Sequence, residues 1–248
     1  MHTLNTQRIV SRLEENIRIR LTAMALALAV LAMMFTQAAW GHGVDDGDAS
    51  FLANQTGFHF WPYFYLGAKH MVTGYDHLLF LAGVIFFLYR MREVALYVTL
   101  FAVGHSTTLL LGVALDIPAN AYLIDAIIGF SVIYKAFENL GGFTHFGIAP
   151  STRIAVAVFG LFHGFGLATK LQQISLSENG LLANLVAFNL GVEVGQLLAL
   201  AGIVTLMNGW RLHAGFMQQA RYANVVLMSA GFLLVAYQLG GYFWADVS

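Results

Sequence analysis

The chain has no cysteine and only three prolines, and 10% of its 248 residues are charged. Without thiols it forms no disulfide, Fe–S cluster or thiolate metal site. A soluble domain carries about 25% charged residues, so there is too little polar side chain here to cover a soluble globule. Twelve Lys+Arg against thirteen Asp+Glu give a net charge of −1, which excludes a polybasic nucleic-acid binder. No G-x-x-x-x-G-K-[ST] loop is present to cradle phosphates, so nothing points to ATP hydrolysis. What the chain has instead is 58% hydrophobic residues, with 20 Phe, 10 Tyr and a mean hydropathy of +0.70. That is the make-up of an integral membrane protein, whose first partner is the lipid bilayer.

The first apolar run, residues 21–39, follows Arg18 and Arg20 and leads into Ala38, Ala39 and Gly41. A basic start, an apolar middle and a small-residue end describe an export signal. Cleavage before His42 and retention as a signal-anchor helix both place His42, Asp45, Asp46 and Asp48 on the outer side. Six further apolar stretches follow at 71–90, 94–115, 119–140, 152–170, 181–206 and 222–244. Each approaches the roughly 20 residues that a helix needs to cross the hydrocarbon. Helices are expected because lipid offers no partner to an open backbone. The expected fold is therefore all-α, a polytopic transmembrane bundle of six spans after the N-terminal helix. Residues 1–41 read as signal peptide or signal-anchor, 42–70 as an outer segment with an aromatic belt (Phe58 to Tyr65), and 71–248 as the six-helix domain. Arg90, Arg92, Arg153, Arg211 and Arg221 flank alternate connections, whereas the opposite loops are assigned only Lys69 and Lys170. By the positive-inside rule the arginine loops are cytoplasmic and the mature N-terminus is periplasmic, in a bacterial-type inner membrane.

The informative residues are the ionisable ones inside the spans. Asp76 and His77 follow His70 in the first, His105 is central in the second, His163 in the fourth and Glu193 in the fifth. A charge at the centre of a lone membrane helix costs about 2.5–3.5 kcal/mol, so these residues should face one another, water or an ion. Asn189, Glu193 and Gln196 form an i, i+4, i+7 stripe on an otherwise apolar helix. Gly160 and Gly164 flank His163, and Gly191 and Gly195 flank Glu193, with the small-xxx-small spacing that lets helix backbones approach closely. Imidazole together with carboxylate suits a divalent transition ion, whereas Mg and Ca prefer all-oxygen sites. Each residue also has a plainer reading as interhelical glue, worth about 0.6–2 kcal/mol. The candidate metal ligands are His70, Asp76, His77, His105, His163 and Glu193. Ser106, Asp125, Glu138, Asn189, Gln196 and His42 are candidates for the path or for supporting the ligands.

Five blocks carry a family resemblance. They are His70-x5-Asp76-His77-Leu78-Leu79-Phe80, Gly104-His105-Ser106-Thr107-Thr108-Leu109, Glu138-Asn139-Leu140, Phe162-His163-Gly164-Phe165-Gly166, and Phe188-Asn189-x-Gly191-Val192-Glu193-x-Gly195-Gln196. In order on successive spans, they resemble the HupE/UreJ family, in its second branch, over about residues 58–244. The resemblance implies a small polytopic membrane protein associated with nickel or cobalt uptake for hydrogenase and urease maturation. Where the nickel permease branch has a second His-Gly followed by Glu, this chain reads Phe165-Gly166-Leu167-Ala168.

Two classes of function follow. One is a permease for a divalent transition ion, nickel or cobalt first and zinc or copper as alternatives, passing the ion from outer acidic residues to a midplane site. The other is an intramembrane zinc-dependent hydrolase built on Asp76-His77 and His105-Ser106. A metal-binding accessory subunit, with a membrane complex or a second copy as its partner, stands beside them.

Overall fold

A computed structural model describes residues 56–173 and 179–245, which are mostly helical, with no strand among the described residues. The export signal, His42 and the outer acidic stretch lie outside the described residues. The helices are α1 (Phe60–Thr73), α2 (Tyr75–Ile85), α3 (Met91–Ala114), α4 (Ala121–Asn139), α5 (Gly142–His145), α6 (Thr152–Gln172), α7 (Leu181–Arg211) and α8 (Phe216–Ala245). Among the described residues, α3, α6, α7 and α8 are long and apolar enough to cross a membrane.

The two other expected spans differ from the sequence reading for physical reasons. α4 has 19 residues but carries Asp125, Lys135 and Glu138. The first begins earlier than position 71, because Phe60 to Tyr65 are already helical and form the opening turns of α1. It is also broken. Gly74 is extended (φ −72°, ψ 95°), its N–H closes on the His70 carbonyl at 2.8 Å, and α2 restarts from it. Residues 60–85 together would rise about 39 Å as helix, enough to cross the hydrocarbon despite the break.

Polarity in the bundle is inverted relative to a soluble protein. Val103, Phe232 and Leu206 are 61%, 56% and 76% exposed, whereas His105, His163, Ser131, Gln196 and Asn224 are buried. The spans thus present many large apolar side chains outward and keep most of their polar ones inside, as a multi-pass membrane protein does. The central apolar cluster includes Met71, Phe80, Phe101, Leu109, Val132, Leu167 and Phe188.

Three tightly packed helix pairs build the bundle. On α3 and α6, Gly160 faces the Phe101 backbone, Gly164 the His105 carbonyl, and Gly112 the Ala168 side chain, so the two run parallel. On α1 and α7, Gly191 faces the Phe64 carbonyl and Gly195 the Ala68 carbonyl, again in parallel. α4 and α8 run antiparallel, with Tyr122 against Gly241 and Gly129 against Leu234. A Cβ on Gly164 or Gly191 would overlap the facing carbonyl, so the small-xxx-small spacing is used for backbone contact as expected.

A polar network closes the end of α4. Lys135 Nζ lies 2.6 Å from Glu138 Oε2, and the Thr152 hydroxyl donates to Glu138 Oε1. Asn139 Nδ2 donates to the Gly83 carbonyl at 2.9 Å and to Asn224 Oδ1 at 2.8 Å. Arg211 Nη2 donates to the Ile85 and Phe86 carbonyls at 2.6 and 2.9 Å, capping the end of α2.

Gly191→Val should lower stability by about 1–3 kcal/mol or more through overpacking. Gly202→Ala, where a Cβ would have no atom within 4 Å, should leave it unchanged. Thermal unfolding of both variants in detergent checks this, and equal behaviour would contradict the α1–α7 contact.

Candidate metal centre

The site assembles where the first leg breaks. Thr73 turns its hydroxyl back to the Lys69 carbonyl at 2.8 Å, and Gly74 then leaves helical geometry. Glycine is required there: a Cβ would stand 2.9 Å from the His70 carbonyl and 3.0 Å from His77 Nδ1. Restarting the helix leaves first-turn N–H groups without partners. Asp76 Oδ1 accepts from the His77 N–H at 2.8 Å, and its charge suits the positive end of α2.

The same Asp76 oxygen accepts from His77 Nδ1 at 2.8 Å. An ionised carboxylate only accepts, so Nδ1 carries the proton and the Nε2 lone pair is free. His163 has the same arrangement, with Nδ1 donating to the Phe159 carbonyl at 2.8 Å. An imidazole whose Nδ1–H is held by a carboxylate or carbonyl, leaving Nε2 bare, is the form in which histidine binds a metal ion.

His77 is the hub of a ring cluster. Its centroid lies 5.3 Å from that of His70, 5.6 Å from His105 and 4.8 Å from His163. Two imidazoles sharing one tetrahedral ion would have centroids about 5.2 Å apart, given metal–nitrogen bonds of about 2.0–2.1 Å. Phe101 packs against His77, His105 and His163, and Phe80 against His163, walling the cluster with apolar rings. Five imidazole nitrogens are buried with no hydrogen-bond partner: Nε2 of His70, His77 and His163, and both nitrogens of His105. Leaving a buried polar group unpaired costs about 1–3 kcal/mol, so a group that supplies partners to several at once gains that much affinity. Among the described residues, no three His, Asp or Glu side chains stand as a ready-made ion cage. The rings would have to turn to converge on one ion. Their free nitrogens fit nickel, cobalt, zinc or copper by donor type.

Of the six sequence-predicted ligands, the structure brings together His70, Asp76, His77, His105 and His163. Glu193 is not among them. It is exposed on α7, while Asn189 and Gln196 of the same stripe are buried. At about 100° per residue, the buried arc of α7 runs back from Asn189 through Gln196, Val192 and Phe188 to Gly195. Glu193 lies about 40° past Asn189 in the other sense. An i, i+4, i+7 stripe spreads over about 60°, enough to straddle the edge of a buried face.

The supporting residues also divide. Asn189 Nδ2 donates to Ser106 Oγ at 2.8 Å, and Gln196 Nε2 to the Val98 carbonyl at 3.4 Å, so both bridge α7 to α3. Both oxygens of Glu138 are occupied by Lys135 and Thr152, which makes it part of the α4 network and not a free path residue. Asp125 Oδ2 pairs with Lys170 Nζ at 3.2 Å. Lys170, expected in an outer loop, is a mostly buried residue of α6, two turns beyond His163 on the same face. Applying the i, i+7 rule to His163 would have placed it there.

The family model described as HupE / UreJ protein matches residues 46–246. The chain belongs to the HupE/UreJ family. The match covers every described helix of the HupE/UreJ bundle and all of its clustered histidines. No curated protein and no solved structure matches the chain.

Because the sequence lacks cysteine, spin labels can be placed singly without removing native thiols. A label at Glu193→Cys should be as accessible to lipid-dissolved oxygen as one at exposed Leu190→Cys. A label shielded only at 193 would put Glu193 back inside the bundle.

Proposed function

We propose that this chain is a permease for a divalent transition-metal ion, nickel or cobalt first, with zinc or copper accepted by the same donor chemistry. The observation that carries the reading is the set of five unpartnered imidazole nitrogens around His77, held inside a membrane bundle. Family membership supports the choice of ion. On this reading His77 and His163 bind through Nε2, His70 and His105 complete the donor set, and Asp76 holds the His77 tautomer and offsets the ion's charge. Nitrogen and carboxylate ligands exchange, so the ion can be held and released, as conduction requires.

The proposed topology has six legs: α1–α2, α3, α4, α6, α7 and α8. Strict alternation makes the second and fourth legs parallel, the first and fifth parallel, and the third and sixth antiparallel. The three helix pairs have those relations, which supports the count. A broken first leg fits a midplane site, since broken helices in membranes occur where they line a cavity or a binding site. With Lys69 and Lys170 both inside helices, no Lys or Arg falls in residues 115–120 or 173–180. The arginine bias then puts those connections on the periplasmic side of an inner membrane.

Wild-type protein in proteoliposomes should take up nickel or cobalt, and His77→Ala should abolish uptake. Asp76→Asn keeps an acceptor but removes the charge, and should weaken metal binding by about 10–100-fold. Binding should also weaken as pH falls, because protons compete for the same nitrogens. Titration calorimetry and uptake at matched protein levels check both. Uptake of none of the four ions by wild type would reject the permease reading. Hydrolysis of a lipid amide by the same zinc-loaded vesicles would put the hydrolase in its place.

A further inference from the structure

The ion pair between Asp125 of α4 and Lys170 of α6 lies inside the bundle, with its two side chains 9% and 13% exposed. Gln238 of α8 adds a long contact to the same carboxylate oxygen, 3.5 Å from Asp125 Oδ2. The other oxygen, Oδ1, is buried and has no partner. It faces α6 at Gly166, where a Cβ would stand 3.2 Å away. Gly166 lies between His163 and Lys170 in α6, so the free oxygen meets that helix in the stretch that joins the histidine to the lysine. Lys170 is close enough to His70, Asp76 and His163 for its charge to act on them, and Asp125 to Asp76 and His77.

The chain thus places a cation of its own within electrostatic reach of the cluster read above as a cation site. Along α6, Lys170 is about 10 Å beyond His163 and two residues from the helix end at Gln172. From there its four-carbon stem can carry the ammonium out to the interface at little cost.

We propose that Asp125 and Lys170 form a charge gate, in which the ammonium holds the place of an incoming divalent ion and leaves when the ion takes the carboxylate. This rests on the permease reading. Charge balance favours the exchange. With Lys170 still in place, a divalent ion would add its two charges to a third beside it. With Lys170 withdrawn to the interface, the carboxylates of Asp125 and Asp76 balance the ion between them. Asp125 Oδ1, buried and unpaired, is the first ligand the ion meets, and Lys170 sets the threshold for admission.

The test uses full-length protein in detergent with nickel or cobalt chloride as the probe. Lys170→Met keeps the stem and removes the competitor, so calorimetric affinity should rise by about tenfold or more. Asp125→Asn/Lys170→Met removes both charges and should lose that gain. In wild-type protein, acylation of Lys170 by an amine reagent, read by mass spectrometry, should increase on metal loading, with Lys135 as the internal reference. Equal affinity in wild type and Lys170→Met, or unchanged Lys170 labelling in metal-loaded wild type, would overturn the gate while leaving the metal site standing. If wild type binds neither ion, the permease reading falls and the gate falls with it. The labelling arm uses no variant and so decides the matter even if Lys170→Met does not fold.

Discussion

The hydrogen bond from His77 Nδ1 to Asp76 Oδ1 sits where the first leg of the bundle breaks, and the rest of the site depends on it. Breaking the helix at Gly74 exposes N–H groups that lipid cannot satisfy. Asp76 answers one of them through the His77 backbone and at the same time fixes the His77 ring. That ring is the one in contact with His70, His105 and His163. Local backbone repair and the orientation of the hub are therefore one interaction.

Close helix contact supplies the other histidines. His105 and His163 come together because Gly164 lets α6 approach the His105 carbonyl itself, with Thr108 Oγ1 donating to the Leu161 carbonyl at 2.6 Å across the seam. α1 is brought against α7 through Gly191 and Gly195, which fixes the depth of His70 and of the break. The cluster is thus held by backbone contacts, which do not depend on the ion. Phe101 and Phe80 pack against the rings of the cluster, so its walls are apolar and offer the imidazole nitrogens no hydrogen-bond partner.

Much of this is legible in the sequence, because depth in a membrane helix follows from counting residues. His77, His105 and His163 fall at similar depth on separate spans, and a buried ionisable residue needs company. Depth does not give azimuth. Glu193 has the right depth, but it lies just past the edge of the buried arc of α7, and a stripe of three polar residues does not tell the two sides of that edge apart. The break at Gly74 is hidden in the sequence because one glycine in an apolar run usually stays helical; here the carbonyl of His70 and the ring of His77 leave no room for a side chain. Lys170 reads as a loop residue because lysine near a span end usually reaches water, whereas its partner Asp125 comes from α4, a separate helix earlier in the chain.

The central claim is that the histidines around His77 share one metal ion. X-ray absorption on purified protein loaded with one equivalent of nickel or cobalt tests it directly. The account predicts at least three imidazole nitrogens in the metal's shell, seen by their outer-ring scattering, and fewer in His163→Ala. A shell of oxygen alone, unchanged by His77→Ala, would contradict it.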